Sequence, residues 1–73
     1  MFNREKFGKR LKELRTSKKA TQSVVGELLG VTRTQICDLE KGNTTTSLEN
    51  ITILSEYYDV SADYLLLLSD DKR

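Results

Sequence analysis

The segment Thr21–Glu40 constrains this chain more than any other, because two short apolar periodicities lie on either side of Gly30. Thr21 suits the N-cap position of the first helix, and the spacing predicts an inward face made of Val25, Leu28 and Leu29. Glycine adopts the left-handed conformation that ends a helix without steric cost, so Gly30 predicts a sharp stop. Gly26 lies inside this helix, where close approach of the next helix would compensate for its roughly 0.5–1 kcal/mol cost relative to alanine.

The second helix of the segment is marked by Thr32 and Gln35, which have the spacing of a capping box and predict a start at Arg33. At 100° per residue, one side of this helix is apolar and consists of Ile36 and Leu39. The other side is polar or small and consists of Thr34, Cys37, Asp38 and Lys41, with Arg33 at its edge. Two short helices joined by a glycine turn, the second with an exposed polar face, predict a helix-turn-helix.

Three more helices are predicted around this motif. Helix 1 starts after the N-cap Asn3, with a Phe2–Phe7 hydrophobic staple and an apolar stripe of Phe7, Leu11 and Leu14. Helix 4 starts with a Thr46–Glu49 capping box and has an inward face of Leu48, Ile51, Leu54 and Tyr58. After a left-handed Asp59, Ser61 caps a last helix that contains Tyr64 to Leu68, and residues 69–73 form a frayed polar tail. The expected fold is an all-α bundle of five helices, with a domain over residues 1–68.

Composition excludes several classes of protein. The chain has 73 residues, one cysteine and no histidine, so neither a disulfide framework nor a metal site is expected. No acid–base pair, nucleophile–base pair or phosphate-binding glycine loop is present, which argues against an enzyme and against a cofactor or small-molecule ligand. No apolar run approaches the roughly 20 residues that span a bilayer, and no signal peptide is visible, which indicates a cytoplasmic protein. The opening Met and the polar tail favour a complete chain.

Charge is distributed unevenly along the chain, although the net charge is only +1. Residues 1–20 carry eight Lys or Arg against two Glu, which gives +6. Residues 21–46 carry two basic and three acidic side chains, which gives −1, and residues 47–73 carry two against six, which gives −4. A basic N-terminal end can orient such a molecule toward a polyanion, while a merely solvated Lys-rich helix face is the alternative.

From about Phe7 to Leu66 the chain resembles the lambda-repressor-like DNA-binding domains of the Cro/C1 type, the Xre family. The resemblance rests on Gln22, Gly26, Gly30, Ile36 and the run Leu39-Glu40-Lys41-Gly42, together with Ser47–Ile51, Val60-Ser61 and Leu65-Leu66. It implies a five-helix bundle that binds double-stranded operator DNA, usually as a twofold dimer. By position, the residues that read base edges are Arg33, Thr34 and Asp38, and Gln22 binds a phosphate at the start of helix 2.

Elementary chemistry agrees with these positions. Arg can donate two hydrogen bonds to guanine, Thr can contact a base edge or a thymine methyl, and Asp can accept from cytosine. Backbone contacts are expected just after helix 3, from Lys41, Asn43, Thr44 and Thr45. Asp38 is unusual in facing a polyanion; it either selects cytosine or is held by Arg33 or Lys41 and disfavours other sequences. Cys37 is predicted as a small packing or contact residue, with redox sensing as a minor alternative.

Two further contacts are predicted. Arg15 and Glu40 match family positions that pair helix 1 with the end of helix 3, although solvated surface charges are the alternative. The last helices carry more apolar surface than a small monomer can bury, which predicts a homodimer through Tyr64, Leu67 and Leu68. The expected function is therefore a transcriptional repressor that binds a pseudo-palindromic operator as a homodimer. The alternative is a protein-interaction module of the same fold that binds DNA weakly or not at all.

Overall fold

The computed structural model describes all residues 1–73 and contains five α-helices and no strand, which confirms the predicted fold class. In chain order the helices are α1 (Arg4–Ser17), α2 (Gln22–Leu29), α3 (Arg33–Lys41), α4 (Leu48–Tyr58) and α5 (Ala62–Leu65). The bundle measures 28 × 23 × 21 Å along its principal axes. None of the helices has the length and apolar character needed to cross a membrane.

Side-chain caps start each helix, and four of the five N-caps are the predicted ones. The oxygens of Asn3, Thr21, Thr32 and Ser61 accept hydrogen bonds from the backbone N–H three residues later. Gln35 also accepts from the Thr32 N–H, which completes the predicted capping box. The prediction for α4 was wrong by one residue: its N-cap is Ser47, which accepts from the Asn50 N–H.

The shift at α4 has a simple cause, because Thr46 and Ser47 are both good N-cap residues. Thr46 accepts a hydrogen bond from the Asn50 side chain instead of capping the backbone. With Ser47 as the cap, Leu48 becomes the first helical residue and is 80% exposed rather than directed inward. The inward side of α4 consists of Ile51 and Leu54, with Tyr58 half-buried at the end.

The core forms one cluster to which all five helices contribute, and it confirms the predicted apolar stripe of α1. Its ten buried members are Phe7, Leu11, Leu14, Val25, Ile36, Leu39, Ile51, Leu54, Val60 and Leu65. The predicted inward face of α2 was partly wrong, since Val25 is buried, Leu29 is half-buried and Leu28 is 38% exposed. An eight-residue helix at the edge of the bundle buries only one narrow side, which does not extend to Leu28.

Glycine allows α1 and α3 to meet at their backbones. A Cβ on Gly8 would lie 2.5 Å from the Leu39 carbonyl oxygen and 2.6 Å from that of Glu40. Gly42, whose φ is 82°, packs against the backbone of Glu5 in the same way. Gly26 makes the predicted close approach, but to the turn at Val31 and Thr32 rather than to α3 itself. No local pattern in the sequence marks Gly8, yet its contacts with the α3 carbonyls are the closest of the three glycines.

The C-terminal end differs most from prediction. The last helix is a single turn over Ala62–Leu65, because Leu67 adopts a left-handed conformation (φ 66°) and reverses the chain. Residues 69–73 do not fray: the Lys72 carbonyl accepts from the Ser61 N–H, and Arg73 pairs with Asp59. Asp59 and Gly30 are left-handed as predicted, and Gly42 adopts the same conformation. The tail therefore lies against the start of α5.

Candidate nucleic-acid interface

The outward side of α3 carries the residues that the sequence placed at base edges. Arg33 and Thr34 are exposed in the first turn, and Asp38 is half-buried one turn later. Ile36 and Leu39 anchor the opposite side of the helix, at 2% and 5% exposure. A helix held by two core side chains can present its polar side to a groove without losing its position in the domain.

Asp38 makes no ion pair in the free domain. Neither Arg33 nor Lys41 lies within ion-pair distance of its carboxylate, so the structure does not contain the neutralising contact that one interpretation of the sequence required. Its carboxylate oxygens remain available as acceptors at the middle of the exposed side of α3. Cys37 is half-buried beside it as a free thiol.

A shallow concavity lies where the end of α1 meets the starts of α2 and α3. Seven residues line it: Lys12, Arg15, Ala20, Thr21, Gln22, Ser23 and Arg33. The Thr21 hydroxyl accepts from the Val24 N–H, and the Thr21 carbonyl accepts from the Val25 N–H. The N–H groups of Gln22 and Ser23, in the first turn of α2, make no backbone hydrogen bond. Free N–H groups at a helix start, beside Lys12 and Arg33, form a site suited to an anion. Lys12 carries no signal in the sequence that predicts this position, because only the tertiary fold brings it to the concavity.

Arg15 and Glu40 form a bidentate ion pair behind this concavity. The Arg15 Nε and Nη2 donate to the two Glu40 oxygens at 2.6 and 3.0 Å, and the side chains are 12% and 5% exposed. This hydrogen bond raises the pKa of the Arg15 guanidinium above its already high ordinary value. Arg15 also donates to the Ala20 carbonyl, which connects α1 to the residue before the Thr21 cap.

Gln22 belongs to the same network. Its Nε2 donates to Glu40 Oε1 at 3.1 Å, which fixes the amide with the nitrogen toward Glu40. The predicted phosphate ligand is therefore also a structural partner of the ion pair, and its second N–H remains free. Tyr58 lies near this group, and its burial, with a smaller contribution from the Glu40 charge, raises the pKa of its hydroxyl above the ordinary value.

The four predicted backbone-contact residues follow the polar side of α3. Lys41, Asn43, Thr44 and Thr45 are all exposed. The left-handed Gly42 turns the chain between them, and its N–H donates to the Leu39 carbonyl. Lys41 is the last residue of α3, and the other three lie in the loop that follows, at the opposite end of the helix from Arg33 and Thr34.

Some of the basic side chains of residues 1–20 make hydrogen bonds or ion pairs within the domain. Arg15 pairs with Glu40, Arg10 donates to the carbonyls of Tyr64 and Ser69, and Lys18 donates to the Tyr57 carbonyl. The exposed cations of residues 1–20 that make no such contact are Arg4, Lys6, Lys9, Lys12 and Lys19. The charge count alone therefore overstated how much of α1 is available to a polyanion.

The residues predicted at a dimer contact lie on the α5 side of the domain. Leu68 is 75% exposed, while Tyr64 and Leu67 are half-buried. Leu66, Leu67 and Leu68 line a groove with the N-terminal residues Met1, Phe2, Asn3 and Lys6, which the sequence did not associate with this face. The structure brings together no group of three His, Cys, Asp or Glu side chains that could hold a metal ion.

Comparison with known proteins gives consistent matches. The model of the helix-turn-helix family matches residues 11–65. The chain is 35% identical over 65 residues to the uncharacterized HTH-type transcriptional regulator YobD of Bacillus subtilis, covering 89% of this chain and 58% of that protein. It is 42% identical over 60 residues to the SPbeta prophage-derived regulator YonR of Bacillus subtilis, covering 82% and 56%. The chain thus spans little more than half the length of these relatives.

Solved structures match the fold as well. The restriction-modification controller protein C.AhdI of Aeromonas hydrophila superposes with a TM-score of 0.75 at 36% identity, covering 86% of this chain and 91% of that one. The P22 c2 repressor, determined in complex with a synthetic operator, superposes with a TM-score of 0.76 at 33% identity, covering 82% and 91%.

Proposed function

Because the chain belongs to the helix-turn-helix family of Cro/C1 type, whose fold is that of DNA-binding transcriptional regulators and not of enzymes, we propose that it binds operator DNA with sequence specificity. One observation carries the proposal. The exposed first turn of α3 lies beside a basic concavity that contains the free N–H groups of the α2 N-terminus. A base-reading element next to a phosphate site is what docking in a major groove requires.

In this proposal, sequence is read by Arg33, Thr34 and Asp38. Arg33 donates to guanine O6 and N7, and Thr34 contacts a neighbouring base edge or thymine methyl. Asp38, which has no cation partner in the free domain, accepts from cytosine N4 and repels bases that present acceptors at that point. Specificity at the Asp38 position then comes mainly from rejection of wrong pairs.

Position along the duplex is set by phosphate contacts on both sides of α3. On one side Gln22 gives its free amide N–H, with Lys12 beside it in the concavity. On the other side lie four exposed residues: Lys41 at the end of α3, and Asn43, Thr44 and Thr45 in the loop after it. These contacts carry no sequence information but hold α3 in register.

A homodimer on a pseudo-palindromic operator fits the size of the domain. Successive major grooves on one face of DNA lie about 34–36 Å apart, whereas the longest axis of the domain is 28 Å. One copy therefore reaches a single half-site, and a second copy joined through Tyr64, Leu67 and Leu68 reaches the next. A dimer seated over a promoter would block polymerase, which makes repression the expected outcome.

The test is selection of bound duplexes from a randomised pool at near-physiological salt, followed by sequencing. We expect an inverted repeat with half-sites about one helical turn apart. A single unpaired half-site would contradict the dimer but leave base reading intact. No enrichment, with binding that disappears as salt rises, would mean charge attraction alone and would favour the interaction module over an operator reader.

Matched substitutions then assign the contacts. Arg33→Ala and Asp38→Asn should each relax preference at one base pair, costing about 1–3 kcal/mol for the preferred base. Lys12→Ala should weaken all duplexes equally and lower the salt slope by about one phosphate. Lys9→Ala, on an exposed position of α1 outside the concavity, is the control and should change neither.

A further inference from the structure

Arg10 makes an unusual set of contacts for a residue of a basic surface helix. Its Nη1 donates to the Tyr64 carbonyl at 2.7 Å and to the Ser69 carbonyl at 3.3 Å. Its guanidinium carbon lies 4.1 Å from the centre of the Tyr64 ring, and its Nη2 lies 3.6 Å from the Asp70 carboxylate. One half-buried side chain of α1 thus holds two carbonyls that lie on either side of Leu65–Leu68.

The chain between those carbonyls follows a path that its own residues do not favour. Leu67 has φ 66°, a left-handed conformation that is sterically costly for a leucine. Two backbone bonds close the turn, from the Leu67 N–H to the Tyr64 carbonyl and from the Leu68 N–H to the Asp63 carbonyl. The preceding helix has only four residues, so it supplies little stability of its own.

We propose that Arg10 is a positioning residue for self-association: it holds the Tyr64–Ser69 turn in the path that leaves Leu68 exposed beside Leu67. Leu68 is directed outward, 75% exposed, only while the chain reverses at Leu67. Without the Arg10 contacts the turn relaxes toward conformations in which the leucines have no fixed position. The dimer part of this inference rests on the proposed function.

Only arginine has the geometry for this task. The planar guanidinium can stack on the Tyr64 ring while its edge donates to two carbonyls and faces a carboxylate. A lysine ammonium is a point charge and cannot satisfy both carbonyls and cover the ring in the same way. Replacement of Arg10 by lysine therefore keeps the charge of α1 and removes the fixed arrangement.

The experiment compares the wild-type chain with Arg10→Lys, Arg10→Met and the control Lys9→Met, which removes a neighbouring exposed charge. Three quantities are measured: amide hydrogen exchange at Leu67 and Leu68, the dimer dissociation constant by sedimentation, and affinity for one DNA half-site. Urea unfolding locates conditions under which every variant is folded. The half-site measurement separates a local effect on the turn from a general loss of structure.

For both Arg10 variants we expect exchange at Leu67 and Leu68 to accelerate at least about tenfold, and dimerisation to weaken by a similar factor, as for loss of a charged hydrogen bond. Half-site affinity and exchange in α3 should match the wild type, and Lys9→Met should change nothing. Wild-type exchange at Leu67 and Leu68 in Arg10→Lys would overturn the inference.

Failure of the proposed function has a different signature. If the wild-type chain stays monomeric at high micromolar concentration, the homodimer is wrong, and the dimer part of the inference fails with it. Faster exchange in the Arg10 variants alone would still establish that Arg10 positions the turn. If the wild type dimerises and Arg10→Lys dimerises equally well with a mobile turn, the positioning role in self-association is wrong.

Discussion

The two halves of this domain hold their outer surfaces by opposite means. In the N-terminal half (α1–α3), core side chains such as Ile36 and Leu39, with a buried ion pair, support a polar surface. In the C-terminal half (α4, α5 and the tail), charged side chains of α1 support a surface on which Leu68 is exposed. Both halves share the same core, to which the C-terminal half contributes Leu54 and Leu65, so the polar contacts from the basic N-terminal segment are what distinguish the C-terminal half.

The two sets of contacts also differ in burial, which sets the size of the effects expected from breaking them. The Arg15 and Glu40 side chains are 12% and 5% exposed, whereas Asp70, the ion partner of Arg10, is fully exposed. Loss of one partner from a buried pair leaves a charge without water, while loss of an exposed pair costs little. The N-terminal half should therefore lose global stability on substitution, and the C-terminal half should mainly lose local order.

The largest effect is expected from Arg15→Met. This change leaves the Glu40 carboxylate buried with Gln22 as its remaining side-chain donor, and should lower the free energy of unfolding by about 3–5 kcal/mol. Urea unfolding measures the loss. Arg15→Met combined with Glu40→Leu removes both charges and should recover most of the stability. If Arg15→Met alone changes the free energy of unfolding by less than about 1 kcal/mol, the Arg15–Glu40 pair contributes no more than an exposed surface ion pair.

Gly8→Ala should have the next largest effect. The added Cβ would meet two backbone carbonyls of α3 that cannot move aside, so α1 and α3 must separate, at a cost of about 3 kcal/mol. Gly30→Ala is the matched control, because it meets open space and costs only the left-handed strain of about 1 kcal/mol. If Gly8→Ala and Gly30→Ala have equal midpoints in urea unfolding, the close approach of α1 to α3 is not what makes Gly8→Ala destabilising.

The start of α4 tests whether the cap assignment holds in the C-terminal half. Ser47→Ala removes the hydrogen bond to the Asn50 N–H and should cost about 1 kcal/mol of unfolding free energy. Thr46→Ala removes only a side-chain contact with Asn50 and should cost less. Thermal or urea unfolding of the two variants shows which residue caps α4. A larger loss of unfolding free energy for Thr46→Ala than for Ser47→Ala would mean that Thr46 is the N-cap.

Tyr58 gives a pH test at the boundary of the two halves. Because burial raises the pKa of its hydroxyl in the folded state, its stabilising contribution is present below the unfolded value of about 10 and is lost as pH rises above it. The free energy of unfolding should fall above about pH 10, by at most about 1.4 kcal/mol per pH unit from this group. Tyr58→Phe should flatten that decline, which urea unfolding at a series of pH values measures.

The smallest effect is expected from Lys18, the C-cap residue of α1, which also contacts the C-terminal half. Its Nζ lies 4.6 Å from the centre of the Tyr57 ring and donates to the Tyr57 carbonyl, but the side chain is exposed. Lys18→Met should cost about 0.5–1 kcal/mol in urea unfolding at low salt. A loss as large as that of Arg15→Met would remove the distinction between the two halves.

Local signals were predictable because they depend on residues within one turn of each other. Asn3, Thr32 and Ser61 cap helices whatever lies around them, and Gly30 and Gly42 are left-handed for steric reasons of their own. Predictions failed where two local signals competed or where burial decided. Thr46 and Ser47 were equivalent as caps in the sequence, and the exposure of Leu28 depends on how little of α2 the bundle covers.

The candidate site likewise contains residues that local sequence signals predicted and residues that only the tertiary fold brings together. The polar side of α3, with Arg33, Thr34 and Asp38, follows from the helical period and from the family resemblance. Lys12 joins this site only because α1 ends beside the start of α2, and Gln22 turns toward Glu40 only because α3 ends there. Neither contact has a signal in residue spacing, since the partners are far apart in the sequence.

The sequence by itself determined the five helices, most of their ends and the polar side of α3, because caps, glycines and apolar periods act over a few residues. The tertiary structure alone decided how close α1 lies to α3, which cations remain free, and that the chain reverses at Leu67. These depend on long-range contacts such as the one between Gly8 and the Leu39 carbonyl. Packing, not local preference, selects among the arrangements that the same helices could adopt.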